Sequence, residues 1–188
     1  VAPVVKWVGG KRQLLHEITP LIPKDIHSYC EPFVGGGAVL FSVQPQNAIV
    51  NDLNSDLITV YRTIKDHVKE LIESLKQHEN TANYFYKIRD IDRNKEIYQA
   101  MDDIERASRL IYLNKTCFNG LFRVNAAGEF NTPYGRYKKP NIVNEEGLKA
   151  VNKYFNENNI DFYNEDFADT LNRVEEGGFV YLDPPYDP

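Results

Sequence analysis

The chain has 188 residues, of which 42% are hydrophobic, and this suits one domain or one core with an inserted lobe. A formal net charge of −5 excludes a uniformly basic surface, and no apolar run approaches the roughly 18 residues of a membrane span. The two cysteines and four histidines are too scattered to form a metal-binding motif. We therefore expect a cytoplasmic, monomeric protein with no structural metal and no membrane partner.

The predicted elements alternate between helices and strands, which is typical of an α/β fold with a parallel sheet. We predict helices near 13–19, 38–43, 54–77 (capped by Asn54), 84–90, 101–116 and 145–156, and strands near 28–33, 48–51, 160–163 and 178–182, with a loop or hairpin at 117–139.

The segment from 56 to 141 contains helices and a loop but no strand suited to that sheet. We interpret it as an inserted, mostly helical lobe that divides an α/β domain formed by residues 1–55 and 142–188. Because the helix that should follow strand 178–182 would cover one face of the sheet, we expect the C-terminal part of the fold to be missing from this sequence.

A glycine-rich turn follows the first predicted strand and precedes a helix. Residues 35–37 are all glycine, and Asp52 ends the next strand, 21 residues beyond Glu31. Such a turn is often only structural, but an acid at this distance can accept hydrogen bonds from ribose hydroxyls. The turn lacks both the dinucleotide spacing and a P-loop lysine, which favours a nucleoside ligand without phosphates.

The N-terminal segment 6–11 combines the only tryptophan, Trp7, with two glycines and Lys11. Trp7 could pack into the core, or it could line a ligand pocket in which Lys11 binds a carboxylate.

The run Asp183-Pro184-Pro185-Tyr186 follows the apolar strand 178–182. Two prolines end a strand because they lack amide donors, so the run could be a terminator with a packed tyrosine. It could also act on an aromatic amine. Asp183 and the Pro184 carbonyl would each accept one N–H and stabilise the growing positive charge, while Tyr186 stacks on the base.

Basic residues cluster between 115 and 139, where Lys115, Arg123, Arg136, Lys138 and Lys139 accompany a single acid, Glu129. A basic patch on an acidic body is compatible with nucleic-acid binding, although a solvated loop would look similar. Arginine can read guanine bidentately, whereas lysine suits phosphates.

In order and in residues, these motifs resemble the Dam family of DNA N6-adenine methyltransferases, and most closely its GATC-specific members. The resemblance rests on residues 6–11, 31–37, 51–54, 118–125, 130–137 and 183–186. It implies a Rossmann-like sheet that uses S-adenosyl-L-methionine (AdoMet), releases S-adenosyl-L-homocysteine (AdoHcy) and carries an inserted DNA-recognition lobe.

The resemblance also implies roles for individual residues. The predicted catalytic residues are Asp183, Pro184 and Tyr186. The predicted cofactor-binding residues are Trp7, Lys11, Glu31, Phe33, Gly35, Gly37, Asp52, Asp166, Phe167 and Asp183. The predicted DNA-binding residues are Phe118 and Asn119 as a wedge, Arg123 as a guanine reader, and Tyr134, Arg136, Lys138 and Lys139.

We therefore expect an enzyme that methylates N6 of a flipped adenine in double-stranded DNA, with a cognate restriction endonuclease as a candidate partner. Two alternatives stay open. The same tetrapeptide could serve an RNA or protein-amide methyltransferase, or the chain could be a truncated, inactive remnant that binds AdoMet or DNA. The segment around Arg123 favours duplex DNA over the first alternative.

Overall fold

A four-stranded parallel sheet forms the centre of the computed structural model, which describes residues 1–185. Its strands are β1 (Tyr29–Glu31), β2 (Asn47–Asn51), β3 (Asn159–Tyr163) and β4 (Phe179–Val180), in the order β3-β2-β1-β4. All three pairings are parallel. Chain order runs outward from β1 to β3 on one side and places β4 on the other. The β1–β4 boundary is therefore the topological switch point, where open α/β sheets bind ligands at their carboxyl edge.

Helices flank this sheet, so the predicted α/β class is confirmed. The α-helices of the described residues are α1 (Leu15–Ile18), α2 (Ala38–Val43), α3 (Ser55–Asp66), α4 (Val68–Lys76), α5 (Ala82–Arg89), α6 (Lys95–Ala100), α7 (Asp103–Thr116), α8 (Glu145–Glu157) and α9 (Phe167–Leu171). Short 3₁₀ turns cover Arg12–Leu14, Thr19–Leu21, Asp90–Arg93 and Phe118–Gly120. Within residues 1–185, no helix is long and apolar enough to cross a membrane.

One large hydrophobic core joins the sheet to α2, α3, α4, α7 and α8. All three residues of β1 are buried, as expected for a central strand covered on both faces. Leu57, Val60 and Ile64 of α3 belong to this core together with the strand residue Val50. Part of the range 56–141, namely helix α3, thus packs with the sheet. That this range forms a separate inserted lobe stays a prediction.

A second, smaller hydrophobic cluster lies under the irregular segment that follows α7. It contains Phe85, Tyr112, Leu113, Cys117 and Phe130. Cys117 and the β1 residue Cys30 are both buried free thiols, and burial is the largest cause that raises the pKa of each to about 11.

The helix predicted over 54–77 is instead two helices, because His67 leaves the helical region at φ −136° and ψ 39°. The break exposes the last carbonyls of α3, and side chains of α8 satisfy them. Asn152 donates to the carbonyls of Ile64 (2.8 Å) and Lys65 (2.9 Å). The predicted cap is confirmed, since the Asn54 side chain accepts a hydrogen bond from the Leu57 amide at 2.9 Å.

Two smaller differences concern element lengths. Helix α6 lies in a stretch for which no element was predicted, and its start is capped by the Asn94 side chain. Strand β4 covers only two residues of the predicted strand 178–182, and the chain beyond it leads directly into Asp183.

Candidate active site at the carboxyl edge of the sheet

The loops that follow β1, β2 and β4 meet at the carboxyl edge of the sheet, around the switch point. Parallel pairing places the ends of β1 and β4 side by side, and the Tyr181 amide donates to the Cys30 carbonyl at 2.9 Å. The glycine turn and Asp183 therefore come from adjacent strands.

The glycine turn is held in a conformation that requires glycine. Gly35 and Gly37 have φ values of +49° and +73°, and a Cβ on Gly35 would lie 2.9 Å from Cδ1 of Trp7. The Tyr61 hydroxyl of α3 donates to the Gly35 carbonyl at 2.6 Å and so holds the turn in place. Because these glycines have no side chains, a ligand could approach the backbone of the turn closely.

Asp52 binds the same turn from the end of β2. Its Oδ2 accepts the Gly35 amide at 3.0 Å, and its Oδ1 accepts the Asn54 amide at 2.9 Å. Burial raises the pKa of Asp52, and these two hydrogen bonds partly oppose that shift. A carboxylate has about four lone-pair positions, so each oxygen can accept one more donor, as two ribose hydroxyls require.

The buried side chain of Asn51 joins two loops of this edge. Its Nδ2 donates to the carbonyls of Pro32 (3.1 Å) and Glu165 (3.0 Å), and its Oδ1 accepts the Glu165 amide at 3.0 Å. The loop after β3 is thereby held against the loop after β1. Asn164 adds a hydrogen bond of 2.8 Å to the Asp52 carbonyl.

Two aromatic rings lie at this edge, one on each of the joined loops. The Phe33 and Phe167 rings are 5.4 Å apart, and Phe167 is 42% exposed. Exposed aromatic surface near Asp52 suits a planar ligand. The neighbouring Asp166 caps α9 by accepting the Ala168 amide at 2.8 Å, so its carboxylate already serves the backbone.

Glu31 lies inside the protein at the end of β1 and is only 2% exposed. The Tyr29 hydroxyl donates to its carboxylate at 2.7 Å. Burial raises the pKa of Glu31 to about 8, against the hydrogen bonds from Tyr29 and the Leu40 amide, and the charge of Asp183 raises it further. Glu31 is therefore a buried, largely protonated acid whose pKa responds to the charge of Asp183.

Lys11 binds Asp183 rather than standing apart from it. The Lys11 ammonium is 2.7 Å from Oδ2 of Asp183 and 2.8 Å from the Gly9 carbonyl. The N-terminal segment is therefore docked on the residue that begins the tetrapeptide. Pro184 is exposed beside it, while Tyr186 lies outside the described residues.

Trp7 packs against the core and also borders a cavity, and its proposed contact with a ligand stays a prediction. It is half-buried and stacks on Phe122 with ring centroids 4.6 Å apart and planes at 18°. It also lines a cavity of about 250 Å³, whose walls include Lys6, Gly36 and Asn119.

The segment from 117 to 139, which we call the DNA-facing segment after the DNA-binding role that the sequence predicts for it, is irregular as predicted. Single antiparallel bridges join Cys117 to Tyr134 and Val124 to Phe130. Phe118 is 51% exposed, so its ring lies at the surface rather than in a hydrophobic core. Asn119 follows with φ +55°, and its amide donates to the Tyr137 hydroxyl at 2.9 Å.

The basic residues of this segment lie at the surface. The Arg123 Nε donates to Oδ1 of Asn131 at 2.9 Å, which orients the guanidinium. Arg136, Lys138 and Lys139 are exposed. Tyr134 differs, because its ring packs 5.3 Å from Phe85 and its hydroxyl donates to Asn80 Oδ1 at 2.7 Å.

Sequence reasoning missed the residues that hold these loops, namely Asn51, Tyr61 and Asn114. Asn51 carried a signal, because asparagine is disfavoured in strands and seldom buried there without a partner. Asn114 and Tyr61 lie in helices, where nothing local marks their long-range hydrogen bonds.

The sheet order and the glycine turn after β1 together define a Rossmann-like α/β domain. A family model for D12 class N6 adenine-specific DNA methyltransferases matches residues 7–188.

Relatives extend this match to both ends of the chain. It is 46% identical over 188 residues to the type II methyltransferase M1.LlaDCHI of Lactococcus lactis subsp. cremoris, covering 99% of this chain and 66% of that protein. Identity to the type II methyltransferase M.MjaIII of Methanocaldococcus jannaschii is 43% over 207 residues (100% and 70% covered). Identity to the DNA adenine methylase of Escherichia coli K12 is 37% over 188 residues (98% and 64% covered).

The chain therefore belongs to the D12 class of N6 adenine-specific DNA methyltransferases, and the predicted resemblance to the Dam family is confirmed. It spans about two thirds of the length of these relatives.

Proposed function

We propose that the protein is a site-specific DNA methyltransferase that transfers the methyl group of AdoMet to N6 of an adenine flipped out of duplex DNA, within GATC. The observation that carries this proposal is the position of Asp183, which lies at the end of β4, beside the glycine turn, and is bound by Lys11 at 2.7 Å.

The described residues fit AdoMet in shape and chemistry. Asp52 offers acceptors for the ribose hydroxyls, the glycine turn offers bare backbone to the methionine part, and Phe33 with Phe167 offers an apolar face to the adenine. Lys11 reaches this edge through Asp183, Trp7 packs against the glycine turn, and Gly37 with the buried Glu31 completes the proposed cofactor-binding set. When bound, AdoMet supplies an electrophilic methyl group.

Asp183 and Pro184 prepare the amine that receives this methyl group. The adenine amine is a poor nucleophile because its lone pair is delocalised into the ring. The Asp183 carboxylate and the Pro184 carbonyl each accept one N–H, which makes the nitrogen more tetrahedral. Both acceptors would stabilise the positive charge that grows on the nitrogen as the N–CH₃ bond forms and the S–CH₃ bond of AdoMet breaks, and Tyr186 would stack on the base. AdoHcy would leave with the electron pair of the broken bond, and the methylated amine would release its surplus proton to solvent.

The DNA-facing segment supplies recognition. The exposed Phe118 and Asn119 are suited to fill the space left by the flipped base. Arg123, oriented by Asn131, is suited to a bidentate contact with guanine. Arg136, Lys138 and Lys139 bind phosphates and position the duplex without specifying sequence, and Tyr134 supports them from the second cluster.

The proposed partners are duplex DNA and a cognate restriction endonuclease. The second is supported by relatives named as type II methyltransferases.

Incubation with labelled AdoMet tests the proposal. The substrates are matched duplexes with and without GATC, a structured RNA and a protein extract. We expect label in N6-methyladenine of the GATC duplex. Label only in RNA or protein would replace the proposed substrate, and binding of AdoHcy without any transfer would identify a remnant.

A further inference from the structure

A single buried asparagine, Asn114, connects the N-terminal segment with the DNA-facing segment. It lies in the last turn of α7 and is 4% exposed. Its Oδ1 accepts the Lys6 amide at 2.9 Å, and its Nδ2 donates to the carbonyls of Lys6 (2.8 Å) and Gly120 (3.2 Å). Lys6 directly precedes Trp7, and Gly120 directly follows Asn119.

Only a primary amide can make this set of contacts. It binds both backbone groups of Lys6, as a neighbouring strand would, and still has a donor for Gly120. An aspartate of the same size would present acceptors to two carbonyls, and an apolar side chain would leave all three backbone groups without a partner. Asn114 therefore holds both segments in one arrangement.

Two further contacts make the two segments a single packed unit. Gly120 has φ +63°, and a Cβ there would lie 2.7 Å from Cδ of Lys6. Two residues further on, Phe122 stacks on Trp7 at 4.6 Å. The cavity of about 250 Å³ has walls from both segments, including Lys6, Trp7, Asn119 and Gly120.

We propose that Asn114 is a positioning residue that couples the cofactor site to the DNA-reading turn Phe118–Gly120. A ligand that restricts the motion of Trp7 and Lys11 also restricts the backbone of Lys6. Because Asn114 is hydrogen-bonded to both Lys6 and Gly120, the backbone at Gly120 becomes restricted as well. By reciprocity, DNA that fixes the turn tightens cofactor binding by the same factor. The inference rests on the proposed function, because it assigns the two ligands.

Hydrogen–deuterium exchange on the full chain measures this coupling without requiring catalysis. In the wild type, we expect AdoHcy alone to slow exchange in both 4–12 and 117–123. In Asn114→Ala, AdoHcy should slow exchange only in the first segment. Asn152→Ala is the matched control, since it also removes two side-chain hydrogen bonds to backbone carbonyls but contacts neither segment. It should lose stability and keep the wild-type pattern.

The same variants give a thermodynamic measure. We expect a GATC duplex to tighten AdoHcy binding by roughly tenfold in the wild type and in Asn152→Ala, within the usual range of coupled sites. In Asn114→Ala this factor should fall to about one. Asn114→Asp, which preserves the volume, should behave in the same way.

Each other outcome has a defined meaning. If Asn114→Ala keeps both the exchange pattern and the tenfold factor, the inference is wrong while the proposed function stands. If both Asn114 variants fail to fold, the wild-type exchange pattern decides, because protection limited to 4–12 would overturn the coupling. If the wild type binds neither AdoHcy nor duplex, the proposed function itself fails.

Discussion

The cofactor edge (residues 31–37, 51–54, 164–167 and 183) and the DNA-facing segment are built in opposite ways. At the cofactor edge, buried polar side chains such as Asn51 and Tyr61 hold loops whose positions are set by strand ends. In the DNA-facing segment, isolated bridges hold a long irregular backbone, and the proposed reading side chains Phe118 and Arg123 are exposed. Substitutions of the buried residues at the first should therefore change stability and binding together, whereas substitutions of the exposed side chains of the second should change recognition alone.

The largest effect is expected for Asp183→Ala. It removes an acceptor for the amine and the partner of Lys11, so methyl transfer should fall by about 100- to 1,000-fold, as for the loss of one transition-state contact. Single-turnover transfer of labelled methyl to the GATC duplex measures it. A circular dichroism spectrum like that of the wild type controls for folding, and transfer within tenfold of the wild type would remove Asp183 from the chemistry.

Asn51→Ala should have the next largest effect. It leaves the Pro32 carbonyl and both backbone groups of Glu165 buried without their partner, so the free energy of unfolding should fall by about 3 kcal/mol. AdoHcy affinity should fall as well, because Glu165 positions the loop that carries Phe167. Denaturant unfolding and calorimetric titration measure the two effects. A loss of stability with unchanged affinity would separate the fold from the site.

Arg123→Ala should act on recognition alone. The variant loses a bidentate guanine contact. Its discrimination between the GATC duplex and a duplex in which that guanine is replaced should therefore fall by about 1–3 kcal/mol, while the stability of the protein stays the same. The ratio of kcat/KM for the two duplexes measures it. Lys138→Ala provides the contrast, since it should weaken binding to both duplexes equally. An unchanged ratio in Arg123→Ala would assign guanine reading to another residue.

The last expected effect is a pH dependence of stability that resides in Glu31. Because its pKa is raised from 4.5 to about 8, the folded protein keeps a proton that the unfolded chain releases between these values. The stability that this group contributes is therefore present at low pH and lost as the pH rises toward 8. Glu31→Gln mimics the protonated form, so its Tm should decline less than that of the wild type between pH 5 and 8.5. Parallel Tm curves would show that Glu31 is ionised in the folded protein.

The pH dependence of stability that His78 contributes runs in the opposite direction, since burial lowers the pKa of His78 from 6.5 to about 4. Its contribution to stability is present above pH 6.5 and is lost as the pH falls toward 4. It affects the wild type and Glu31→Gln alike, so the difference between their curves isolates Glu31.

Local patterns predicted what depends on neighbouring residues. The glycine turn, Asp52 at a strand end and the Asn54 cap all follow from short-range backbone chemistry. The alternation of strands and helices predicted the class of the fold, because each period reflects which faces are buried.

Long-range partners could not be predicted in this way. The carbonyl of Ile64 at the break near His67 is bound by Asn152, which lies 88 positions further along the chain. Lys11 was expected to meet a carboxylate if its segment lines a pocket, but the sequence did not show that Asp183, at the far end of the chain, is such a partner. Asn114 binds Lys6, which lies 108 positions before it in the chain, and no helical pattern distinguishes Asn114 from its neighbours.

The two cysteines allow the opening of each of these two regions to be measured separately. Cys30 lies in β1 next to the cofactor edge, and Cys117 begins the DNA-facing segment. Both thiols are buried and, with a pKa of about 11, almost wholly unreactive while folded. A thiol reagent therefore modifies each one only when its own surroundings open, and the two labelling rates report separately how often the sheet and the DNA-facing segment come apart.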